Sequence, residues 1–283
     1  EGLGFYASVG HAGDGSVNVL PIPLSVSVIP GAAAKLSATA PSVVAVDEPF
    51  ALHVRAEDVN SNPGARLEAE LVVFDGEREL ARAVLTATQA GIIEIDGLSL
   101  GTMGVHRLLV RTADGRFEAT SNPIRCEPGP TTRVYWGDMH AHADWADGAG
   151  TIDWNYDFAR NKARLDFYAL TEHIYATPGN PIISIDKPPH LGPERLWREC
   201  QEAARAYHQP GRFVTFLGYE RTPWERRRSS GDLTVWFMHE DADLIIEETI
   251  AQTIESVKAA GGDVFVGTHA AQRPDWEHYP DDV

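Results

Sequence analysis

The chain has 283 residues, enough for two domains or one large barrel, and its 43% hydrophobic and 23% charged residues are typical of a soluble globular protein. The formal net charge of −17 argues against a broad nucleic-acid-binding surface, because phosphate backbones are bound by Lys and Arg. No window reaches the roughly 20 uninterrupted apolar residues of a membrane helix, which argues against a membrane-spanning protein.

The first 130 residues have the pattern of β structure. Residues 1–34 are expected to add edge strands or a linker, and residues 35–130 to form an antiparallel β-sandwich domain. Apolar and polar residues alternate from residue 35 onward, and Asp-Gly pairs at 75–76 and 114–115 predict tight turns. Strands at about ten-residue spacing, separated by Gly, Pro and Asn, are typical of a sandwich.

A Pro- and Gly-containing segment at residues 126–133 marks the start of a second domain, residues 131–283. Strand-like and helix-like segments alternate there, which predicts parallel pairing and favours a β/α barrel. The predicted strands are 134–140, 166–173, 211–220, 233–240 and 263–269, and the predicted helices are 151–165, 192–208 and 247–262. Five strands do not close an eight-stranded barrel, so we expect either further chain or a smaller architecture.

Histidine and glutamate residues fall at the ends of four of these strands. The strand ends of a β/α barrel meet at one mouth, so side chains distant in sequence would lie together there. The residues are His140 and His142 on the first strand, Glu172 and His173 on the second, Glu220 on the third and His269 on the fifth. Each residue alone could be exposed or structural, but their coincidence indicates a metal site.

The residue types define the metal chemistry. Imidazole with carboxylate, and no cysteine nearby, suits zinc, manganese or iron, and more than four candidate ligands predict two or three divalent ions. Asp147 is either a further ligand or only a turn residue before Gly148. Paired ions about 3.5–4 Å apart can activate water and stabilise a leaving oxygen, which indicates ester or phosphoester hydrolysis. No nucleophile elbow, phosphate loop or dinucleotide motif competes with this interpretation.

A basic run follows the third predicted strand of this acidic chain. It contains Arg221, Arg226, Arg227 and Arg228. These arginines could bind a phosphate or carboxylate of the substrate, or they could form a solvated loop. His239, at the end of the fourth strand, is the candidate catalytic residue for proton transfer, although it could equally be a buried structural histidine. We therefore expect a small anionic substrate and no nucleic-acid or membrane partner, with homo-oligomerisation left open.

The cysteines and the start of the chain bear on its cellular location. Cys126 and Cys200 lie far apart, which argues against a disulfide framework and fits a reducing compartment, so we expect a cytoplasmic protein. With neither an initiating methionine nor a signal-peptide pattern, the chain is expected to begin inside a longer gene product.

Four motifs, in this order, resemble the polymerase and histidinol phosphatase (PHP) superfamily, and more closely its branch of DUF3604-type proteins. GDMHAHADWADGAGT, residues 137–151, resembles that family's opening His-x-His motif, and LDFYALTEH, residues 165–173, resembles its second motif with Glu172 in place of the usual Asp. RFVTFLGYERT, residues 212–222, is similar to the segment that supplies a bridging carboxylate, and DVFVGTHAAQRPDW, residues 263–276, to a later histidine motif.

The resemblance implies a distorted (β/α)7 barrel and metal-dependent phosphoesterase activity. The ligand sets it implies are His140, His142 and Glu220 for one ion, Glu220 and His269 for a second, and Asp147 with His173 for a third. The family's late Asp-x-His motif has no counterpart after His269. We therefore expect the site to be crippled here, or to be completed by further chain or by a partner chain.

The sequence thus predicts a metal-dependent hydrolase, chiefly a phosphoesterase, on an incomplete β/α barrel of PHP type preceded by a β-sandwich. Two alternatives remain open. The same ions could hydrolyse non-phosphate esters or amides, or the chain could be a non-catalytic binding or assembly subunit.

Overall fold

The computed structural model of the protein describes residues 2–5, 8–10, 17–19, 24–146, 148–176, 192–223, 232–247, 249–261 and 263–268. The chain divides into two units. The sandwich unit comprises Val28–Trp136 and Asn161–Arg164, and the sheet–helix unit comprises Glu1–Ser27, Gly137–Arg160 and Leu165–Val283.

Four short strands come first in the chain. They are β1 (Gly2–Phe5), β2 (Ser8–Gly10), β3 (Val17–Val19) and β4 (Leu24–Ser27). β1 pairs with β4 and β2 pairs with β3, both antiparallel.

Ten strands build the sandwich unit. They are β5 (Lys35–Thr39), β6 (Val43–Ala45), β7 (Phe50–Glu57), β8 (Ala69–Asp75), β9 (Arg78–Leu85), β10 (Ile92–Leu98), β11 (Gly104–His106), β12 (Leu108–Thr112), β13 (Glu118–Thr120) and β14 (Ile124–Glu127). A single 3-10 turn, Ala87–Gln89, precedes β10. The strand orders are β10-β7-β5, β11-β14-β6 and β13-β12-β8-β9.

Period-two alternation directs apolar residues of this unit into one core. On β7, Leu52, Val54 and Ala56 are fully buried, and they belong to the same cluster as Leu71 on β8 and Val110 on β12. Side chains two apart on a strand face the same way, so the intervening positions lie on the outer face of the sheet. The β-rich composition of residues 35–130 therefore produces a layered β structure with its own core.

The Asp-Gly turns predicted from the sequence are present. Gly76 and Gly115 have positive φ angles of 59° and 73°, as tight hairpin turns require, and they connect β8 to β9 and β12 to β13. One pairing differs from the antiparallel prediction, because β14 runs parallel to β6. Apolar and polar residues alternate in the same way in a parallel and in an antiparallel strand, so the sequence pattern could not reveal the direction of this pairing.

The sheet–helix unit continues with β15 to β19 and three helices. The elements are β15 (Gly137–Asp138), α1 (Ile152–Asp157), β16 (Phe167–Ala176), α2 (Pro193–Tyr207), β17 (Val214–Pro223), β18 (Leu233–Phe237), α3 (Ile250–Ala259) and β19 (Val264–Thr268). α1 is shorter than predicted, and a π-helical turn, Phe158–Ala163, follows it. The sheet order is β15-β16-β17-β18-β19.

One face of this sheet packs against the helices. The buried cluster joins Leu170, Leu217 and Val235 of the strands to Leu196 of α2 and Ile254 of α3. α2 begins with Pro193 at its first turn, where a missing N–H costs nothing, and the Thr249 side chain caps the first turn of α3. The residues that alternate with these on the strands lie on the opposite face.

The direction of β18 corrects the prediction that all strands run parallel. β15, β16 and β17 are parallel, but β18 pairs antiparallel with both β17 and β19. Only residues 224–232 connect β17 to β18, and a parallel crossover needs about a dozen residues or more. β15 to β19 form an open sheet, and the fold of the described chain is mostly β. No helix in the described part of the chain is long and apolar enough to cross a membrane.

Candidate metal centre

The carboxyl ends of three parallel strands bring the candidate ligands together. His173 on β16 and Glu220 on β17 are register partners. The segment after β15 carries His140 and His142, and the Thr171 amide on β16 donates to the Ala141 carbonyl at 2.9 Å. This backbone bond fixes the two histidines beside the end of β16, within reach of Glu220.

His140, His142 and Glu220 form a group that can hold a metal ion, here called the His–Glu cluster. The two Nε2 atoms are 3.3 Å apart, and they lie 3.4 Å (His140) and 3.2 Å (His142) from Glu220 Oε2. Glu220 is fully buried, whereas 27% of the His140 side-chain surface and 17% of the His142 side-chain surface are exposed to solvent. The cluster therefore has a closed side, where the carboxylate lies, and an accessible side.

These separations fit a shared ion. Three tetrahedral ligands about 2.0–2.1 Å from one ion have ligand atoms about 3.3–3.4 Å from one another. The observed 3.2–3.4 Å match that spacing and are at or beyond the long end of ordinary hydrogen bonds. Two imidazoles and one carboxylate are also a donor set suited to zinc, manganese or iron.

A threonine orients the first histidine. Thr171 Oγ1 lies 2.9 Å from His140 Nδ1 and 3.5 Å from the Ala141 carbonyl. If the hydroxyl donates to Ala141, it accepts from the Nδ1–H of His140, and the lone pair of Nε2 then faces the cluster. Histidine ligands of metals commonly have such a second hydrogen bond, which fixes the tautomer.

Glu172 supports the turn after the second histidine. The Ala143 amide donates to Glu172 Oε1, and Gly148 approaches so closely that an added Cβ would lie 2.0 Å from the His142 carbonyl oxygen. Glu172 alternates with His173 along β16 and therefore faces the helices. Burial raises the pKa of Glu172 to about 7, and the bond from Ala143 opposes this rise.

His173 is adjacent to the His–Glu cluster but has a different environment. Its ring stacks on that of His142, with centroids 4.5 Å apart. His173 Nδ1 lies 2.7 Å from Thr222 Oγ1 and 3.4 Å from Glu220 Oε2. The structure thus brings His173 to the site beside the three clustered ligands, with its Nδ1 hydrogen-bonded to a hydroxyl.

The other predicted site residues lie elsewhere or outside the described residues. Arg221 is buried on the helix side of β17, where its guanidinium donates to the Glu247 carbonyl at 3.3–3.4 Å. His239 follows β18, which runs antiparallel to β17, and Phe237 at the end of β18 already pairs with Leu217. His239 therefore lies toward the end of the sheet opposite Glu220, and its side chain is exposed. The predicted residues outside the described chain are Asp147, Arg226, Arg227, Arg228 and His269.

Sequence reasoning missed the two threonines that contact imidazoles of the candidate site. Thr171 lies two residues before His173, and Thr222 lies two residues after Glu220. Period two places each on the same face as its neighbouring ligand. A polar residue two positions from a candidate ligand on a buried strand was the signal that could have indicated them.

Comparisons with known proteins identify relatives without an assigned activity. A scan against protein-family models finds no match. The chain is 22% identical over 222 residues to a protein of Chlamydia pneumoniae, covering 76% of this chain and 33% of that protein. It is 26% identical over 182 residues to a protein of Chlamydia trachomatis, covering 63% and 27%. Both relatives are described as uncharacterized, and the chain spans a third or less of their length.

Similar solved structures are distant. The CARDB domain of a Pyrococcus furiosus protein in complex with di-metal ions has a TM-score of 0.25 at 10% identity and covers 33% of this chain and 92% of that chain. A carbohydrate acetylesterase from Xanthomonas citri scores 0.22 at 11% identity (64% and 38% covered), and PhoD scores 0.24 at 11% (65% and 38%). These scores are too low to assign a fold or a function.

Proposed function

We propose that this chain is a metal-dependent hydrolase of phosphoesters and a member of the PHP superfamily, built on a β/α barrel of that type. The observation that carries the proposal is the His–Glu cluster, whose three donor atoms lie 3.2–3.4 Å apart at the carboxyl ends of parallel strands. Active sites of α/β folds are found at this edge of the sheet.

The exposure of the cluster supports a catalytic site rather than a purely structural one. Structural zinc sites are closed by four protein ligands, whereas catalytic sites keep a position for water or substrate. The two histidines are partly exposed and the buried Glu220 closes the other side. A bound divalent ion would supply Lewis acidity and a local positive charge in a chain of net charge −17.

The protein's own residues would hold and orient that ion. Glu220 brings a negative charge to a fully buried position, where pairing with a cation offsets its desolvation. Thr171 and Thr222 keep the imidazoles of His140 and His173 in fixed orientations. A small anionic substrate would approach from the accessible side of the histidines.

The test is metal content and hydrolysis measured on the same samples. Tag-free protein purified without chelators is expected to hold at least one equivalent of zinc, manganese or iron and to hydrolyse an aryl phosphate monoester or diester. His140→Ala removes one of three ligands, so metal content and hydrolysis should fall together. His208→Gln is the matched control, because His208 also contacts a threonine but lies beyond the opposite end of the sheet.

Three outcomes contradict the proposal in different ways. Full hydrolysis by the metal-depleted variant would separate the activity from the cluster. Stoichiometric metal without hydrolysis of phosphoesters, carboxylic esters or amides would favour a binding or assembly role. Stoichiometric iron with oxygen consumption would instead favour redox chemistry, because two histidines and one carboxylate also hold iron in oxygenases.

A further inference from the structure

We propose that Trp236 is a positioning residue that holds the peptide bond carrying His140 in the orientation metal binding requires. This inference rests on the proposed metal site. Trp236 lies on β18, and its indole Nε1 donates to the Met139 carbonyl at 2.6 Å. The bond joins residues 97 positions apart in the chain, and Met139 directly precedes a candidate ligand.

The peptide between Met139 and His140 is held at both ends. Its carbonyl oxygen accepts from Trp236, and its amide nitrogen, that of His140, donates to Asp138 Oδ1 at 3.0 Å. Because a peptide unit is planar, two hydrogen bonds on opposite sides fix its rotation. That rotation determines where the Cα–Cβ bond of His140 points, and thus where Nε2 lies.

Two glycines make room for the indole. Gly218 on β17 is the register partner of Trp236, and a Cβ there would lie 3.1 Å from indole Cδ1. A Cβ at Gly267 on β19 would lie 3.0 Å from Cζ3 and 3.2 Å from Cη2. The indole thus lies against both neighbouring strands and has little freedom to move away from Met139.

Because the indole is only partly buried, loss of its N–H should affect metal binding more than folding stability. Met139 and Trp236 are only partly buried, so water can replace the indole donor at the Met139 carbonyl when the N–H is removed. The cost in folding should then be small. A water does not fix the peptide orientation as a packed indole does, and ligand groups must be held within about 0.5 Å of their productive geometry.

The chain contains a matched indole on the other face of the same sheet. Trp197 of α2 donates from Nε1 to the Ala242 carbonyl at 2.7 Å, in the buried core between sheet and helices. Replacing Trp197 by Phe also removes one indole–carbonyl bond, but in a position with no contact to the His–Glu cluster. The pair Trp236→Phe and Trp197→Phe therefore separates loss of positioning from loss of packing.

The experiment measures Zn²⁺ affinity of the metal-free full chain by competition with a chromophoric chelator, together with thermal unfolding without metal. Trp236→Phe should weaken Zn²⁺ binding about tenfold or more, as loss of an outer hydrogen-bond partner typically does, with a small change in Tm. It should also alter the visible absorption of bound Co²⁺, which reports ligand geometry. Trp197→Phe should lower Tm further while its Zn²⁺ affinity and Co²⁺ spectrum stay as in the wild type.

A second variant keeps the inference testable if Trp236→Phe does not fold. Gly267→Ala removes no hydrogen-bonding group and crowds only the indole. It should therefore also weaken Zn²⁺ binding, by a smaller factor than Trp236→Phe. Wild-type affinity and an unchanged Co²⁺ spectrum in the folded Trp236 or Gly267 variant would overturn the inference and leave the metal site standing. Equal losses of affinity in the Trp236 and Trp197 variants would also overturn it. A wild-type chain that binds no Zn²⁺ would remove the proposed function and this inference together.

Discussion

At the scale of single residues, the site depends on side chains that would not themselves touch an ion. The ring of His140 is held by Thr171 and its amide by Asp138, and the carbonyl of the preceding Met139 is held by the indole of Trp236. An imidazole has two nitrogens, and only the one without a proton can bind a metal. When the Thr171 hydroxyl donates to the Ala141 carbonyl, it accepts from the Nδ1–H of His140, and Nε2 is then the nitrogen available to a metal.

Replacing Thr171 by Val tests this role. Val has nearly the same shape as Thr, so the substitution removes the hydrogen bond to His140 Nδ1 with little change in packing. We expect Zn²⁺ affinity to fall by about 10- to 100-fold, as is usual when a hydrogen-bond partner of a ligand is removed, measured by calorimetry on metal-free protein. Thr215→Val is the control. The Thr215 hydroxyl lies 3.1 Å from His208 Nδ1, and this pair is not part of the His–Glu cluster. Equal affinities of the two variants would show that the hydroxyl does not orient the ligand.

At the scale of elements, the sequence was informative wherever a local pattern decides the structure. The strands around Leu170 and Leu217 and the helix around Leu196 lie where their periodicity predicts. The His-x-His segment lies beside Glu220, because both follow parallel strands whose carboxyl ends meet at one edge. The fit of this group to a metal ion agrees with the metal-binding prediction, whereas the number and identity of ions stay predictions.

Strand direction was the part that local pattern could not supply. Alternation along Leu233–Phe237 is the same whether the strand runs parallel or antiparallel to its neighbour. The assumption of parallel pairing placed His239 with the other candidates, and the antiparallel register moves it to the opposite end of the sheet. The support from Trp236 was equally hidden, because a hydrogen bond between residues 97 positions apart has no local signature.

The entry into β10 gives an element-scale prediction about stability. Gly91 has a φ of +72°, and an added Cβ would lie 2.2 Å from the Ala65 carbonyl oxygen and 2.9 Å from the Gly64 carbonyl carbon. Gly76 also has a positive φ, +59°, but an added Cβ there meets nothing within 4 Å. Gly76→Ala should cost about 1–2 kcal/mol from backbone strain alone. Gly91→Ala should cost clearly more, because a backbone segment must also shift.

Urea unfolding of the two glycine variants, followed by circular dichroism, measures the difference. Both variants share the cost of a left-handed backbone, so that cost cancels in the comparison. A Gly91→Ala variant as stable as Gly76→Ala would mean that the close approach of the chain at Ala65 is not present in solution.

At the scale of the whole molecule, stability depends on titratable groups in the sandwich unit as well as on its core. His53 on β7 is buried beside charged residues of the same unit, Arg164, Glu94 and Arg55. Burial, then the positive charge of Arg164, lowers the pKa of His53 to about 4. His106 has the opposite tendency: burial lowers its pKa, but the hydrogen bonds to the Asp75 carboxylate and the Thr102 carbonyl outweigh this and raise it.

The two histidines should therefore give stability profiles of opposite sign. An unfolded chain binds a proton at His53 near its ordinary pKa of about 6.5, whereas the folded chain does so only near 4. Between these values the unfolded state holds more protons, so stability falls as pH falls, by about 3 kcal/mol at most. His106 has a raised folded pKa, so its contribution is present below about pH 6.5 and is lost as pH rises through that folded value.

Urea midpoints of the wild type, His53→Leu and His106→Gln between pH 7.5 and pH 4 test this. His53→Leu should lose less stability than the wild type as pH falls from 6.5 to 4, because Leu has no proton to bind. His106→Gln should differ most from the wild type at the acidic end, where the protonated imidazole pairs with Asp75. Parallel pH profiles of His53→Leu and the wild type would show that His53 is not kept neutral by the fold. The different signs expected for the two variants also separate their effects from the general acid lability of a chain whose net charge is −17 at neutral pH.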